Sequence, residues 1–157
     1  MSSFPEYTAV VQVTAAQIKS MHTSPVQLVP GQAGCIVDIK SILLVYHAGT
    51  QVFNPTSTDF VGVFTGTIPN IFSTYTNGVC LAEGFTDQAS DQLVWAFPWW
   101  DTGAQNTGID AVALSAVIGS GIFLWYYDTG DVFPGGANWT QGNGTITAYV
   151  EYSYIVA

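Results

Sequence analysis

Two isolated histidines, His22 and His47, are the side chains of this sequence best suited to proton transfer near neutral pH. Neither has the residue spacing of a metal site, and no G-x-S-x-G motif presents a nucleophilic serine. A hydrolytic triad would need one histidine beside a serine or cysteine and an acid. The sequence therefore predicts no catalytic residue, no metal site and no cofactor, and we expect the protein not to be an enzyme.

A second arrangement that could support chemistry is a group of acids interleaved with tryptophans. Glycoside hydrolases use two carboxylates that flank the scissile bond. The candidate acids are Glu83, Asp87, Asp91 and Asp101, and the nearby tryptophans are Trp95, Trp99 and Trp100. Any acidic β protein offers such a set, so we predict that these acids are solvated in loops. A glycoside hydrolase is an alternative, and its turnover would disappear when one carboxylate is neutralised.

Aromatic residues in loops are the candidates for binding rather than catalysis. Aromatic rings stack on sugars and anchor protein interfaces. The candidate partner or glycan contacts are Phe4, Trp99, Trp100 and Trp139. The alternative for the adjacent pair Trp99 and Trp100 is packing at the end of the fold or at a subunit interface, and we favour that alternative.

Charged side chains are scarce: they make up 8% of the 157 residues, against about 25% in ordinary soluble domains. The basic residues are Lys19 and Lys40, there is no arginine, and the formal net charge is −9. Nucleic acids and anionic membranes attract proteins through Lys and Arg, so both are excluded as partners. We expect copies of the same chain or a large partner to cover much of the surface. The alternative is a secreted β protein rich in uncharged polar residues.

Several features bear on compartment and covalent structure. Cys35 and Cys80 are expected to be buried free thiols, although their spacing leaves a disulfide open. The N-terminus has no basic region followed by an apolar run, so we expect no signal peptide. The uncharged segment 111–127 is interrupted by Gly119-Ser120-Gly121, which favours two strands and a tight turn over a membrane-spanning helix.

The stretch 14–34 combines signals for a helix, a strand and a turn. Thr14 and Gln17 have the spacing of a capping box and predict one short helical turn. Pro25 ends any helix, and residues 26–28 then alternate as in a half-buried strand. A small helix that closes one end of a β-sandwich fits this order.

The rest of the chain alternates between short apolar runs and turn signals. Strands are predicted over residues 7–13, 34–47, 60–64, 79–85, 92–97, 111–117, 121–127 and 144–156. In the second of these runs, the odd residues 37–45 are expected on one face. The even residues 36–46 form the other face, which changes from half-exposed to buried. The spacing predicts an all-β, antiparallel sandwich or barrel, of which we favour the sandwich, in a single domain, residues 1–157, with residues 1–6 as an N-terminal arm.

Three segments resemble a known group of proteins. They are TAAQIK at 14–19 followed by SPVQLVP at 24–30, GNGTITAYVEY at 142–152, and Gly84-Phe85-Thr86 before a polar stretch. These segments look like small virion proteins of tailed bacteriophages, which are capsid decoration (cement) or tail-associated proteins. The resemblance covers residues 8–46 and 142–156 and includes no catalytic motif. It implies a structural role and favours a jelly-roll-like sandwich, a fold common among capsid proteins.

Composition and resemblance together predict a virion protein that binds the outer capsid surface and stabilises it. The expected partners are the major capsid protein and two further copies of this chain in a homotrimer. The protein would be made in the host cytoplasm and reside on the capsid surface. The alternative is a tail, baseplate or head-fibre accessory protein that binds host glycans through its loop tryptophans.

Overall fold

The computed structural model describes residues 5–54, 59–65, 78–96, 118–128 and 138–157, and these contain eight strands and one short helix. The elements are β1 (Glu6–Val13), α1 (Ala15–Ser20), β2 (Val26–Val29), β3 (Cys35–His47), β4 (Asp59–Thr65), β5 (Gly78–Glu83), β6 (Gln92–Ala96), β7 (Ile122–Asp128) and β8 (Thr145–Val156). Seven of the eight predicted strands correspond to observed ones, and β2 corresponds to the predicted strand after Pro25. The remaining predicted strand, 111–117, lies outside the described residues.

The strands form two antiparallel sheets of four. The first sheet has the order β1-β8-β3-β6, and the second has the order β2-β7-β4-β5. Buried side chains from both sheets belong to one hydrophobic cluster between them. The chain crosses repeatedly between the sheets, as it does in an eight-stranded jelly roll. The predicted all-β sandwich with jelly-roll-like order is therefore confirmed.

The helix α1 begins where the sequence predicts. The Thr14 hydroxyl accepts a hydrogen bond from the Gln17 backbone N–H at 3.3 Å, and Gln17 Oε1 accepts one from the Thr14 N–H at 3.0 Å. This reciprocal pair satisfies amide donors that the first helical turn leaves without backbone partners. Ile18 and Met21 are buried in the core, so α1 closes the sandwich between β1 and β2.

The exit from α1 is fixed to β7. Trp125 Nε1 donates a hydrogen bond to the His22 carbonyl oxygen at 2.9 Å. The His22 ring is itself buried and lies 5.2 Å from the ring of Tyr126, measured between centroids. His22 therefore lies among aromatic core side chains, away from any open surface.

The alternation of β3 changes phase at a β-bulge. Ile39 pairs with Tyr152 and Ser41 pairs with the preceding residue of β8, Glu151, so Lys40 is the extra residue. Before the bulge the odd residues Cys35, Val37 and Ile39 are buried. After it, the even residues Ile42, Leu44 and Tyr46 are buried. The expectation of one uniform alternation along this strand is wrong, because the bulge transfers burial from odd to even positions.

Glycines allow the 142–144 loop to pack tightly against the core. Gly142 has a φ of 106°, a conformation that favours glycine, and a Cβ there would overlap the Phe53 ring. A Cβ on Gly144 would overlap the Tyr46 ring. Both rings are buried, so the Gly-Asn-Gly segment covers the aromatic end of the sandwich.

Two sequence expectations concern thiols and membranes. Cys35 is a buried free thiol at the start of β3, as expected, and the side chain of Cys80 lies outside the description. In the part of the chain that the structure describes, no helix is long and apolar enough to span a membrane.

The bulge makes a prediction about single-residue deletions. Deleting Lys40 should remove the extra residue and leave Ile39 and Ile42 on the buried face, so we expect a loss of no more than about 2 kcal/mol in the free energy of unfolding. Deleting Leu43 instead should move one flank of β3 onto the wrong face and abolish cooperative unfolding. Urea unfolding followed by tryptophan fluorescence measures both. Equal damage from the two deletions would contradict this assignment of the bulge.

A second prediction concerns the buried Tyr46 hydroxyl, which has no hydrogen-bond partner among the described residues. Burial raises the pKa of Tyr46 above its usual 10.0, and the charges of Asp87 and Asp91 raise it further. The unfolded chain therefore loses this proton first, so stability is full below pH 10 and falls as the pH rises through the folded pKa. We expect Tyr46→Phe to change the free energy of unfolding by no more than about 1 kcal/mol at neutral pH and to reduce its decline above pH 10.

Urea unfolding between neutral pH and about pH 11 tests this expectation. Tyr154→Phe is the matched comparison, because the Tyr154 hydroxyl donates to the Pro30 carbonyl at 2.8 Å. Its removal should cost about 1 kcal/mol at neutral pH. An undiminished alkaline decline in Tyr46→Phe would show that Tyr46 does not cause it.

Candidate interaction surface

The outer face of the first sheet has a continuous row of apolar side chains across all four strands. The inward residues of each strand are packed in the core, so their sequence neighbours point outward. Val10 pairs with Tyr149, Tyr149 pairs with Leu43, and Leu43 pairs with Trp95. In the adjacent row Thr147 pairs with Val45, and Val45 pairs with Leu93. We call the apolar belt the set Val10, Leu43, Val45, Leu93, Trp95 and Tyr149.

The apolar belt is well exposed. Leu93 is 60% exposed, Trp95 58%, Val10 57% and Tyr149 40%. These are four of the seven large apolar side chains that are exposed among the described residues. Neighbouring strands lie about 4.8 Å apart, so the row extends about 14 Å across the sheet before side chains are added. A contiguous apolar patch with polar borders is typical of a binding surface.

One border of the apolar belt is a chain of polar groups. His47 Nε2 lies 3.1 Å from Thr147 Oγ1, which donates to Gln12 Oε1 at 3.1 Å. On the other side of the imidazole, Nδ1 lies 3.8 Å from Asp91 Oδ2. Asp91 also accepts the Ala48 N–H at 2.8 Å, which fixes the loop before β6 against the end of β3. This border runs from β1 across β8 and β3 to the loop before β6.

The other border lies at the β-bulge. Lys40 forms an ion pair with Asp38, and the Asp38 carboxylate raises the pKa of the Lys40 ammonium. The Ser41 hydroxyl donates to Glu151 Oε2 at 2.7 Å, and the Ser153 hydroxyl contacts Asp38 Oδ2 at 3.4 Å. The bulge therefore gathers charged and polar groups at one end of the outer face.

The outer face has an excess of negative charge. Its carboxylates belong to Glu6, Asp38, Asp91 and Glu151, and its only ammonium group in the described part of the chain is Lys40. The apolar belt between the two borders has no ionisable group except the Tyr149 phenol.

The residues predicted as contacts are placed differently. The side chain of Trp139 is only 6% exposed and stacks on Tyr126, with 4.3 Å between ring centroids. It also packs against Phe53, and its backbone N–H donates to the Lys19 carbonyl at 3.1 Å. Little of the Trp139 ring is left for a ligand. The other predicted contacts, Phe4, Trp99 and Trp100, lie outside the described residues.

The proposed acid cluster is only partly described. Asp87 accepts a hydrogen bond from the Gln88 side chain, and Asp91 holds the start of β6 as described above. Both are solvated loop acids, as expected from the sequence. Glu83 is the last residue of β5 rather than a loop residue, and its side chain, like the whole of Asp101, lies outside the description. Within residues 5–54, 59–65, 78–96, 118–128 and 138–157, no three His, Cys, Asp or Glu side chains are grouped to hold a metal ion.

Sequence reasoning did not identify the apolar belt. Leu93 and Trp95 are two residues apart on one strand, and that spacing was visible. Their alignment with Leu43, Tyr149 and Val10 depends on strand order and register, which are not local properties of the sequence.

Comparisons with known proteins gave structural likenesses alone. No family model and no curated protein matches the chain. Among solved structures, it resembles a chain of Desmodium yellow mottle tymovirus at 13% identity and a TM-score of 0.27, covering 100% of this chain and 86% of that one. A chain of turnip yellow mosaic virus gives 14% identity and a TM-score of 0.25, with 100% and 85% covered. A chain of the infectious bursal disease virus Gx strain gives 12% identity and a TM-score of 0.22, and the match covers 100% of this chain and 36% of that one. The fold assignment rests on the strand order of this chain rather than on these likenesses.

Buried and exposed tryptophans should respond differently to truncation. Trp139→Ala should cost about 3–5 kcal/mol in the free energy of unfolding, because it leaves a cavity beside Tyr126 and Phe53. Trp95→Ala should cost less than about 1 kcal/mol, because most of its ring already faces solvent. Urea unfolding of both variants at neutral pH gives the comparison. A large loss in Trp95→Ala would mean that this side chain serves the fold rather than a partner.

Proposed function

We propose that this protein is a structural component of a virion that binds the outer surface of the capsid and stabilises it, acting as a homotrimer and without enzymatic activity. The observation that carries the proposal is the apolar belt on the outer face of a sandwich that is poor in charge. The resemblance of residues 8–46 and 142–156 to small virion proteins of tailed phages supports a location on the virion.

The composition supports assembly as the main activity. With charged residues at 8%, the protein relies on uncharged polar groups and on burial to remain in solution. When a partner covers an apolar patch that is bordered by polar groups, apolar surface leaves water and the free energy of the complex falls. A protein that clamps neighbouring capsid subunits needs affinity and shape and no chemical step. In this role the chain acts as a single domain, and the arm expected at residues 1–6 excludes Glu6, which pairs with Ser153 in the first sheet.

The proposed partners are sister subunits and the major capsid protein. A trimer suits the local threefold positions of an icosahedral shell, since matching symmetry lets each subunit make the same contact. Light scattering of the purified protein should give three times the chain mass of 16.8 kDa, about 50 kDa. A monomeric mass at high concentration would contradict the trimer.

Rebinding to particles tests the capsid role. We expect the purified wild-type protein to attach to capsids assembled without it and to raise the temperature at which they release their genome. Leu93→Ser/Trp95→Ser should weaken attachment by about tenfold or more, because it removes the two most exposed apolar side chains at one end of the belt.

The matched control for rebinding is Val52→Ser/Val156→Ser, which changes two exposed apolar residues outside the belt. It should attach like the wild type. Absence of wild-type attachment to the capsid would reject the decoration role, and attachment to tails in the same electron-microscopy images would support the tail-associated alternative.

A glycan-binding accessory protein is the second candidate. The exposed Trp95 ring favours it, because sugars stack on accessible aromatic faces. Binding on a glycan array that is lost in both Trp95→Ala and a Trp99→Ala/Trp100→Ala variant would favour this role over capsid decoration.

A further inference from the structure

We propose that the apolar belt docks a different protein whose contact face has an apolar centre and Lys or Arg at its border, and that it does not dock a second copy of this chain. The proposal rests on the assembly role proposed above and specifies the surface and the partner chemistry. It is carried by the charges that border the belt.

Both borders of the apolar belt expose carboxylates. Asp91 lies at the His47 border, and its side chain is 70% exposed. Glu151 and Asp38 lie at the bulge border, where Glu6 is near enough to influence the Lys40 ammonium. Lys40 already forms an ion pair with Asp38, so it neutralises little of the remaining charge. A partner that covers the belt must therefore meet negative charge on two sides.

A second copy cannot supply the matching charge. The whole chain has two lysines and no arginine. Lys19 lies on α1, outside the first sheet, and Lys40 is in the ion pair at the bulge. If two outer faces met, carboxylates of one copy would approach carboxylates of the other, and like charges across an interface oppose association. A protein with basic residues around an apolar centre would gain from both the belt and its borders.

The strand register also sets the distance that should separate the basic groups of the partner. Outward positions run from Ser41 at the bulge border to His47 at the opposite border. Six residues of extended strand span about 20 Å. The basic groups of the partner should therefore lie about 20 Å apart, with apolar side chains between them.

Two labelled peptides test this chemistry without any virus particle. The first, KKLTLTLKK, places its two inner lysines about 20 Å apart in an extended chain, with three leucines between them. The second, EELTLTLEE, replaces every lysine with glutamate. Fluorescence anisotropy with the full-length protein should show at least about tenfold tighter binding of the lysine peptide at about 50 mM NaCl. The difference should shrink to about threefold or less at about 500 mM NaCl, where charges are screened.

Variants separate the two parts of the surface. The variant Leu93→Ser/Trp95→Ser should bind the lysine peptide about tenfold more weakly, whereas Val52→Ser/Val156→Ser should bind it like the wild type. Asp91→Asn/Glu151→Gln should retain the leucine contacts and lose most of the preference for lysine over glutamate. Circular dichroism and urea unfolding check that each variant is folded.

Three outcomes would overturn the proposal. The first is equal affinity for the two peptides, and the second is unchanged binding by the belt variant. The third is a fall in oligomer mass in Leu93→Ser/Trp95→Ser, which would show that a second copy occupies the belt. The peptide result does not depend on particles, so its failure leaves the capsid role standing. Conversely, peptide binding without attachment to capsids would reject the capsid role and retain the belt as a docking surface.

Discussion

The two central strands of the first sheet, β3 and β8, alternate between core and solvent, and this constraint determines both the core and the outer surface. Every residue directed inward leaves its neighbour directed outward. The bulge at Lys40 lets β3 keep apolar residues inside on both of its halves and places the extra, charged residue on the outer face. Because Leu43 and Tyr149 are then paired on the outside, an apolar belt forms where β1 and β6 add Val10 and Trp95.

Side-chain amides and hydroxyls form hydrogen bonds between loops at positions where more highly charged proteins use ion pairs. Asn54 Oδ1 accepts hydrogen bonds from the backbone N–H groups of Thr140 and Gln141 at 3.2 and 3.0 Å. Asn143 Oδ1 accepts one from the Gln51 N–H at 2.9 Å, and its own backbone N–H donates to the Gln51 carbonyl at 3.1 Å. These bonds fasten the loop after β3 to the loop before β8. They depend little on salt, so the end of the sandwich holds its shape without adding charge to the surface.

Local signals predicted the elements well, and long-range pairing could not be predicted from them. The capping box of Thr14 and Gln17 and the alternation of β8 involve neighbouring residues, so the sequence displays them directly. The bulge could not be recognised, because Ile39-Lys40-Ser41-Ile42 reads equally well as a regular strand. Trp139 follows a glycine-rich stretch typical of an exposed loop, yet stacking on Tyr126 buries it. The belt combines residues from four strands that are up to 139 positions apart (Val10 to Tyr149), and only sheet order brings them together.

The size of the apolar belt explains why multiple copies suit the proposed role. A patch of roughly 300 Å², the lower end of the range for the largest patch of a monomeric protein, contributes about 7.5 kcal/mol of hydrophobic free energy at about 25 cal/mol per Å². Lost translational and rotational freedom costs an amount of about the same size, so a single belt binds weakly. Subunits joined in a symmetric oligomer present several belts at once, and each later contact is then intramolecular. Such an arrangement attaches firmly to a repeating lattice and weakly to isolated capsid subunits, because only the lattice offers several matching sites at the correct spacing. In the proposed role, a modest patch on each chain would therefore be selective for the assembled shell.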